Sequence, residues 1–464
     1  MSKISLKNNY YFYFLLIIAL FLSSIISYEN ISFDLYFNNK YKDYSDYFKG
    51  LLMGKRVLVY NDLGTFPIWG YGLIHLLFKS KLNILIFQQL LNFIAIVRVD
   101  QFLIKVKKIK YLKLSRVLLL FSLPYFFFHT QMWPKSISSS ILILGVLQIF
   151  YYLENNKILN LVFAGMLLGL LSNFRSDYLF FIFILPLFLL FSEFYQTKTL
   201  KFYSLKVLII PGLVILFLIP WSNYTYSKTN HYLLNSTNTG HTLFIGLGQL
   251  PENYWGITPR DDDSKMSEAL TNEFKQKTIV SSVSYSANQF LKKKFIEQII
   301  DNPLEWTKKC LYSIRLILLD PFYVGNVGDF QKNGIANILE IRALENAVYR
   351  FNFSAFYKIL VNTDWIFSSK EIFQILVTIL TKLIGLVLFF STLSITLYTI
   401  LKSPKTIFND PALSLSYLLL AYQISISVFA FHMPVYSTSI YLIYLIILIL
   451  IVNKLLFNQT VNGN

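Results

Sequence analysis

The chain has 464 residues, of which 55% are hydrophobic and only 14% charged, with a mean hydropathy of +0.51. No water-soluble domain of this size carries that balance, so the composition places the protein in a membrane. Its formal net charge of +17 does not indicate a nucleic-acid partner, because Lys and Arg concentrate in short loops between apolar segments, where they orient a membrane protein during insertion.

The first predicted element, 10–28, is uncharged and long enough to span a bilayer as a helix, and Lys3 and Lys7 ahead of it place the N-terminus in the cytoplasm. A cleaved signal peptide would look similar. No clear small-x-small site follows and further spans come after it, so a retained helix is expected. The next spans read at 82–104, 116–131, 136–153, 158–174, 178–194, 206–223, 373–400, 411–430 and 437–453. The fold class is therefore an all-α polytopic membrane protein with about ten transmembrane helices. Three units follow: an N-terminal transmembrane module over 1–223, a loop domain over 224–372 and a C-terminal transmembrane module over 373–464. With both termini inside, the cytoplasmic loops hold Lys105, Lys107, Lys108, Lys110, Lys113, Lys157, Lys198, Lys201, Lys402 and Lys405. The opposite short loops hold little more than Lys135 and Arg175, as the positive-inside rule requires.

Two longer segments fall on the outer side. In 29–81, the stretch 67–78 (PIWGYGLIHLLF) is apolar but too short to span, so it is expected to lie as a helix in the interface. Residues 224–372 are rich in Asn, Ser, Thr, Gly and charge, with helical patterns over 284–320 and 336–360, and should form a mixed, mainly helical extracytoplasmic domain. The single cysteine, Cys310, excludes an internal disulfide and a cysteine-based metal cluster.

Several polar constellations can carry chemistry. The first outer loop reads Asp34-x8-Asp43-x2-Asp46-Tyr47, which sets carboxylates near the headgroup plane, where a general base would take a proton from an acceptor hydroxyl. The bland alternative is a solvated loop that offsets Lys40, Lys42 and Lys49. Arg175, in the turn Ser172-Asn173-Phe174-Arg175-Ser176-Asp177, is costly so near hydrocarbon without an anion beside it, either a lipid phosphate or Asp177. Lys135 offers a second cation in the turn that precedes it, next to Pro134. The large loop contains His241 in a glycine-rich stretch, then Tyr254-Trp255-Gly256, whose rings are suited to stacking on a sugar face. Asp261-Asp262-Asp263 follows, an exposed acidic run or a site for a hard cation. His432 and Tyr436 occupy the last outer turn. Within the spans, Arg98 and Asp100 stand together near a cytoplasmic end and are expected to pair. There is no zinc-protease, hydrolase or nucleotide-binding motif.

In this order, the features resemble the membrane-embedded C-type (GT-C) glycosyltransferases, the group of the protein O-mannosyltransferases and the lipid A aminoarabinose transferases. Asp43-Tyr44-Ser45-Asp46-Tyr47 and Phe66-Pro67-Ile68-Trp69 look like the family's acidic first loop and the start of its interfacial helix. Gly165-Met166-Leu167-Leu168-Gly169-Leu170 followed by Arg175 looks like its helix ending in an outer arginine, and Pro220-Trp221-Ser222-Asn223-Tyr224 like the start of its large loop without the arginine found there. The last turn departs from the pattern: Val435 stands where the family often has arginine between His432 and Tyr436.

The resemblance implies an enzyme that transfers a sugar, with inversion, from a polyprenyl-phosphate-linked donor to a glycan, lipid or protein acceptor at the outer face of a bacterial inner membrane. It makes Asp43, or Asp46 three residues on, the base, and gives the donor phosphate to Arg175 and Lys135. His241, Trp255, His432 and Tyr436 are then substrate-binding candidates. Besides the two substrates, membrane lipids are the expected partners. No cofactor is required, and a divalent cation is optional. An oligosaccharide-repeat polymerase or ligase using a diphosphate-linked donor is the alternative reading, and a transporter of lipid-linked sugars without chemistry is another.

Overall fold

The structure, a computed structural model, describes residues 3–28, 64–65, 68–197, 202–274, 281–323, 343–344, 347, 352–363 and 369–462. Among these, every regular element is a helix and no strand forms. In hydrocarbon each backbone N–H and C=O must be satisfied within the protein, and a helix achieves this inside one segment. The helices are α1 (Lys3–Tyr28), α2 (Gly70–Phe78), α3 (Lys81–Lys105), α4 (Leu112–Leu120), α5 (Leu123–His129), α6 (Pro134–Asn155), α7 (Ile158–Ser172), α8 (Leu179–Thr197) and α9 (Ile209–Thr229). They continue as α10 (Thr239–Leu247), α11 (Ser264–Glu273), α12 (Tyr285–Asp301), α13 (Pro303–Leu319), α14 (Phe353–Asn362), α15 (Ser369–Lys402), α16 (Pro411–Phe429), α17 (Pro434–Ser439) and α18 (Tyr441–Asn462).

Seven described stretches are long and apolar enough to cross a membrane: Asn9–Tyr28, Lys81–Lys105, Pro134–Asn155, Ser176–Tyr195, Leu205–Thr229, Ile372–Lys402 and Pro411–Phe429. The protein is an integral, multi-pass helical membrane protein. The three remaining predicted spans are also helical but take other forms. Residues 116–131 become α4 and α5, bent by 44° and an eighth crossing if counted as one. Pro124 at the start of α5 explains the break, since its ring cannot continue the preceding hydrogen-bond ladder. Ile158–Ser172 is apolar but shorter than a span needs, and Tyr441–Leu455 is the apolar part of α18.

Helix α6 is the most buried of the long helices and packs against α3, α5, α7, α16 and α17. Helix α7 in turn lies close along α9. A Cβ on Gly165 would come 2.8 Å from Leu213, and one on Gly169 2.9 Å from Phe217, so the Gly-x-x-x-Gly pair read above serves close helix packing. Helix α9 runs past the expected loop start at 224 and ends at the left-handed Asn230. The extra turns are held by aromatic packing. Trp221 is fully buried and sits 5.4 Å from Tyr224 and 5.7 Å from Trp69 between ring centres.

The 67–78 stretch yields α2, but its Gly70, Tyr71, Gly72, Ile74 and His75 are buried against protein. Gly70 N–H donates to Asn173 O at 2.8 Å, and Trp69 Nε1 donates to Asn173 Oδ1 at 2.7 Å. In the large segment, α10 to α12 share a second hydrophobic cluster that includes Phe244, Leu247, Trp255, Met266 and Leu291. The 284–320 pattern is two helices, parted at Asn302 and Pro303. The segment docks on the bundle where a Cβ on Gly246 would meet Ala430 O at 2.2 Å. There, too, Gln249 exchanges hydrogen bonds of 2.9 and 2.8 Å with the backbone of His432.

Candidate functional site

Three segments far apart in sequence meet at the N-terminal end of α6. They are the start of α6 with Lys135, the turn after α7 with Arg175 and Asp177, and the turn into α17 with Met433 and Tyr436. Arg175 Nε donates to Asp177 Oδ1 at 2.8 Å, and Nη2 bonds the other carboxylate oxygen. The guanidinium carbon lies 5.2 Å from the centre of the Tyr436 ring and 5.4 Å from that of Tyr178. Lys135 Nζ lies 5.4 Å from the Tyr436 ring and 5.1 Å from that of Trp133, with Met433 Sδ at 3.8 Å. Both cations therefore bear on one tyrosine.

This wall is fixed from behind. Tyr178 is fully buried and its hydroxyl shares a 2.8 Å hydrogen bond with Ser439 Oγ. Tyr422 donates its hydroxyl to the backbone carbonyl of Asp177, and Ser139 Oγ donates to Ser439 O at 2.7 Å. Sequence reasoning had not singled out Tyr178, Tyr422, Met433 or Ser439. The only signal for them was their nearness to Arg175 or His432 in the chain, and for Tyr422 there was none.

The charges do not balance. Arg175 is 8% exposed and its Nη1 has no hydrogen-bond partner. Burial opposes its charge, but the Asp177 carboxylate prevails and holds its pKa above the ordinary value. Burial pushes the Tyr436 hydroxyl up to about 12 while Arg175 pulls the other way, so the phenol stays neutral. Two basic side chains thus stand against one carboxylate in a desolvated wall, and an anion beside them would favour the charged form of the lysine. Arginine suits a planar oxyanion through paired N–H groups, and lysine adds a point charge.

The other candidates fall elsewhere. Asp34, Asp43 and Asp46 lie outside the described residues. His432 is next to Met433 in the same turn, with its ring buried, and burial lowers its pKa to about 4, so it is neutral at pH 7. His241, on α10, has partners of its own: Nδ1 lies 2.9 Å from Ser282 Oγ and Nε2 3.1 Å from Asp261 Oδ1. Trp255 packs inside the second hydrophobic cluster, so its faces are taken by side chains, and Tyr254, 74% exposed, is the ring at the surface. The acidic run is not uniformly exposed either. Asp263 is buried and caps α11, accepting from Met266 N at 2.7 Å and from Thr258 N and Oγ1 at 2.7 Å. Among the described residues, no group of three His, Cys, Asp or Glu side chains is placed to hold a metal ion.

No protein-family model, no curated protein and no solved structure matches the chain. The bearing on function therefore comes from the chain's own residues.

The expected Arg98–Asp100 pair does not form. Asp100 is held by Arg116 of α4, through Nε to Oδ1 and Nη2 to Oδ2, each 3.1 Å. Arg98 donates instead to Gln101. Residues two apart on a helix do not face each other, so the partner has to come from another helix.

Proposed function

We propose that the protein is a membrane glycosyltransferase that moves a sugar from a polyprenyl-phosphate donor to an acceptor hydroxyl, with the donor phosphate held by Arg175 and Lys135. The observation that carries this reading is the pair of basic side chains, Arg175 and Lys135, on one tyrosine ring at the head of α6, with Arg175 Nη1 unpartnered. A lipid phosphate reaches such a site sideways from the leaflet, and the aromatic rings of Trp133 and Tyr436 suit the apolar chain beside it. The reaction places the site at the outer face of the inner membrane of a bacterium.

In this scheme the acceptor oxygen attacks the anomeric carbon as the bond from that carbon to the phosphate oxygen breaks. The carboxylate of Asp43 or Asp46 takes the acceptor proton. The lipid phosphate leaves with the bonding pair as an anion that Arg175 and Lys135 stabilise. His432, neutral, is a hydrogen-bonding group for sugar hydroxyls.

The test uses the purified full chain with labelled polyprenyl monophosphate and diphosphate sugars, reading covalent product. Loss of one charge-assisted contact is worth about 1.5–3 kcal/mol, so Arg175→Gln and Lys135→Gln should each slow transfer by about 10- to 100-fold. Asp43→Asn and Asp46→Asn identify the base, the true one failing with donor still bound. Transfer at the parental rate by both cation variants would overturn the phosphate assignment. Movement of donor across sealed vesicles without product would favour transport.

A further inference from the structure

We infer that α14 is a membrane-surface helix: its apolar face lies in the lipid headgroup boundary and ties the end of the 224–372 segment to the bilayer. This inference is independent of the glycosyl-transfer reading. No residue of Phe353–Asn362 is buried against protein. Phe353, Phe356, Tyr357, Leu360 and Val361 recur at intervals of three, four and seven, which puts them along one side of a helix. Phe353 is 70% exposed, Tyr357 65%, Val361 58% and Leu360 46%. Ala355, Lys358 and Asn362 fall on the opposite side.

Chain continuity identifies the occupant of that face. Only residues 363–368 separate α14 from α15, which contains the crossing Ile372–Lys402. The first turns of that crossing expose Ile372, Phe373, Leu376, Ile379 and Leu380, as a lipid-facing stripe must. A helix of ten residues is about 15 Å long, half the hydrocarbon thickness, so it cannot cross. A short helix with one apolar side and a lysine opposite, tethered this close to a crossing, satisfies the apolar side by lying in the interface.

The experiment places single cysteines in a Cys310→Ser background of the full chain, labels them with an environment-sensitive fluorophore and reconstitutes the protein in phosphatidylethanolamine and phosphatidylglycerol nanodiscs. Phe356→Cys, Tyr357→Cys and Leu360→Cys should emit to the blue, be quenched by shallow nitroxide lipids and show a severalfold smaller iodide quenching constant than Lys358→Cys and Asn362→Cys. Equal iodide quenching on both sides overturns the inference, since it puts the helix in water. Protection from iodide without nitroxide quenching also overturns it, because the face is then covered by protein, and concentration-dependent energy transfer would identify a second copy as that cover.

Discussion

The two ends of helix α6 handle buried charge in opposite ways. At its C-terminal end Glu154 joins a knot in which Lys107 binds both Glu154 and Asp410, the latter at 2.9 Å, and Lys454 binds Asp410 at 2.9 Å. Two cations meet two carboxylates there, drawn from the turn after α3, from α6, from α18 and from the residue before α16. About 28 Å away along the helix, Arg175 pairs with Asp177, while Lys135 lies against Met433 and the rings of Trp133 and Tyr436. A balanced knot ties helix ends together, whereas an unbalanced one is destabilised by its own excess charge until an anion arrives. On the proposed function, that difference is what sets a binding cluster apart from a structural one.

The largest effect should come from breaking the balanced end. Asp410→Ala removes the carboxylate between Lys107 and Lys454, and also the cap that accepts from Ala412 N at 3.2 Å and Leu413 N at 3.3 Å. Stripping one partner from a buried network costs about 3–5 kcal/mol. Thermal melting in detergent should show a large loss of stability, with no gain from added lipid phosphate. A parental melting curve would mean the knot contributes nothing.

At the unbalanced end the corresponding change should have two opposite consequences. Asp177→Asn leaves Lys135 and Arg175 without their carboxylate, so the empty protein should lose about 1–3 kcal/mol. A lipid phosphate then meets no competing carboxylate, binds tighter and should raise the melting temperature more in the variant than in the parent. Equal stabilisation of both proteins by polyprenyl phosphate would show that Asp177 does not compete with an anion, and the contrast between the two ends would fail.

Much of the fold was legible in the sequence because bilayer physics leaves few choices. Apolar runs of span length became helices, and the bend in 116–131 was marked by Pro124. The end of Ile158–Ser172 was not legible, because it is set by Asn173, whose side-chain amide turns back to donate to Gly169 O at 3.1 Å. The site was legible in part for a similar reason. Lys135, Arg175 and Tyr436 stood out as polar residues in short turns, yet nothing in their spacing showed that Lys135 and Arg175 would flank the same ring. The stacking expected of Trp255 failed because a tryptophan beside an exposed tyrosine gives no sign of which ring turns inward. Asp100 was misassigned for want of Arg116, which only helix packing brings to it.

The narrowest expected effect, confined to an alkaline window, concerns Lys309 of α13, which joins the large segment to the bundle beside the candidate site. Its ammonium is fully buried and donates to Val428 O at 2.9 Å and Ala430 O at 2.8 Å, the open carbonyls at the end of α16. Burial lowers its pKa from 10.5 to about 8. Between those values the folded side chain has shed its proton while the unfolded one keeps it. The unfolded state then binds more protons, and stability rises with pH across that window by something on the order of 2–3 kcal/mol. Two neighbours bear on the reading. His432 titrates far below the window, at about 4, but the Cys310 thiol, raised above its ordinary 9.0 by burial, would pull the other way. The measurement therefore belongs in a Cys310→Ser background, comparing melting at pH 8 and pH 10.5 with and without Lys309→Met. The rise should vanish in the lysine variant. If it persists, the titrating group is not Lys309, and α13 is held on α16 by packing such as the stacked rings of Trp306 and Phe429, 5.7 Å apart, rather than by a buried amine that changes charge.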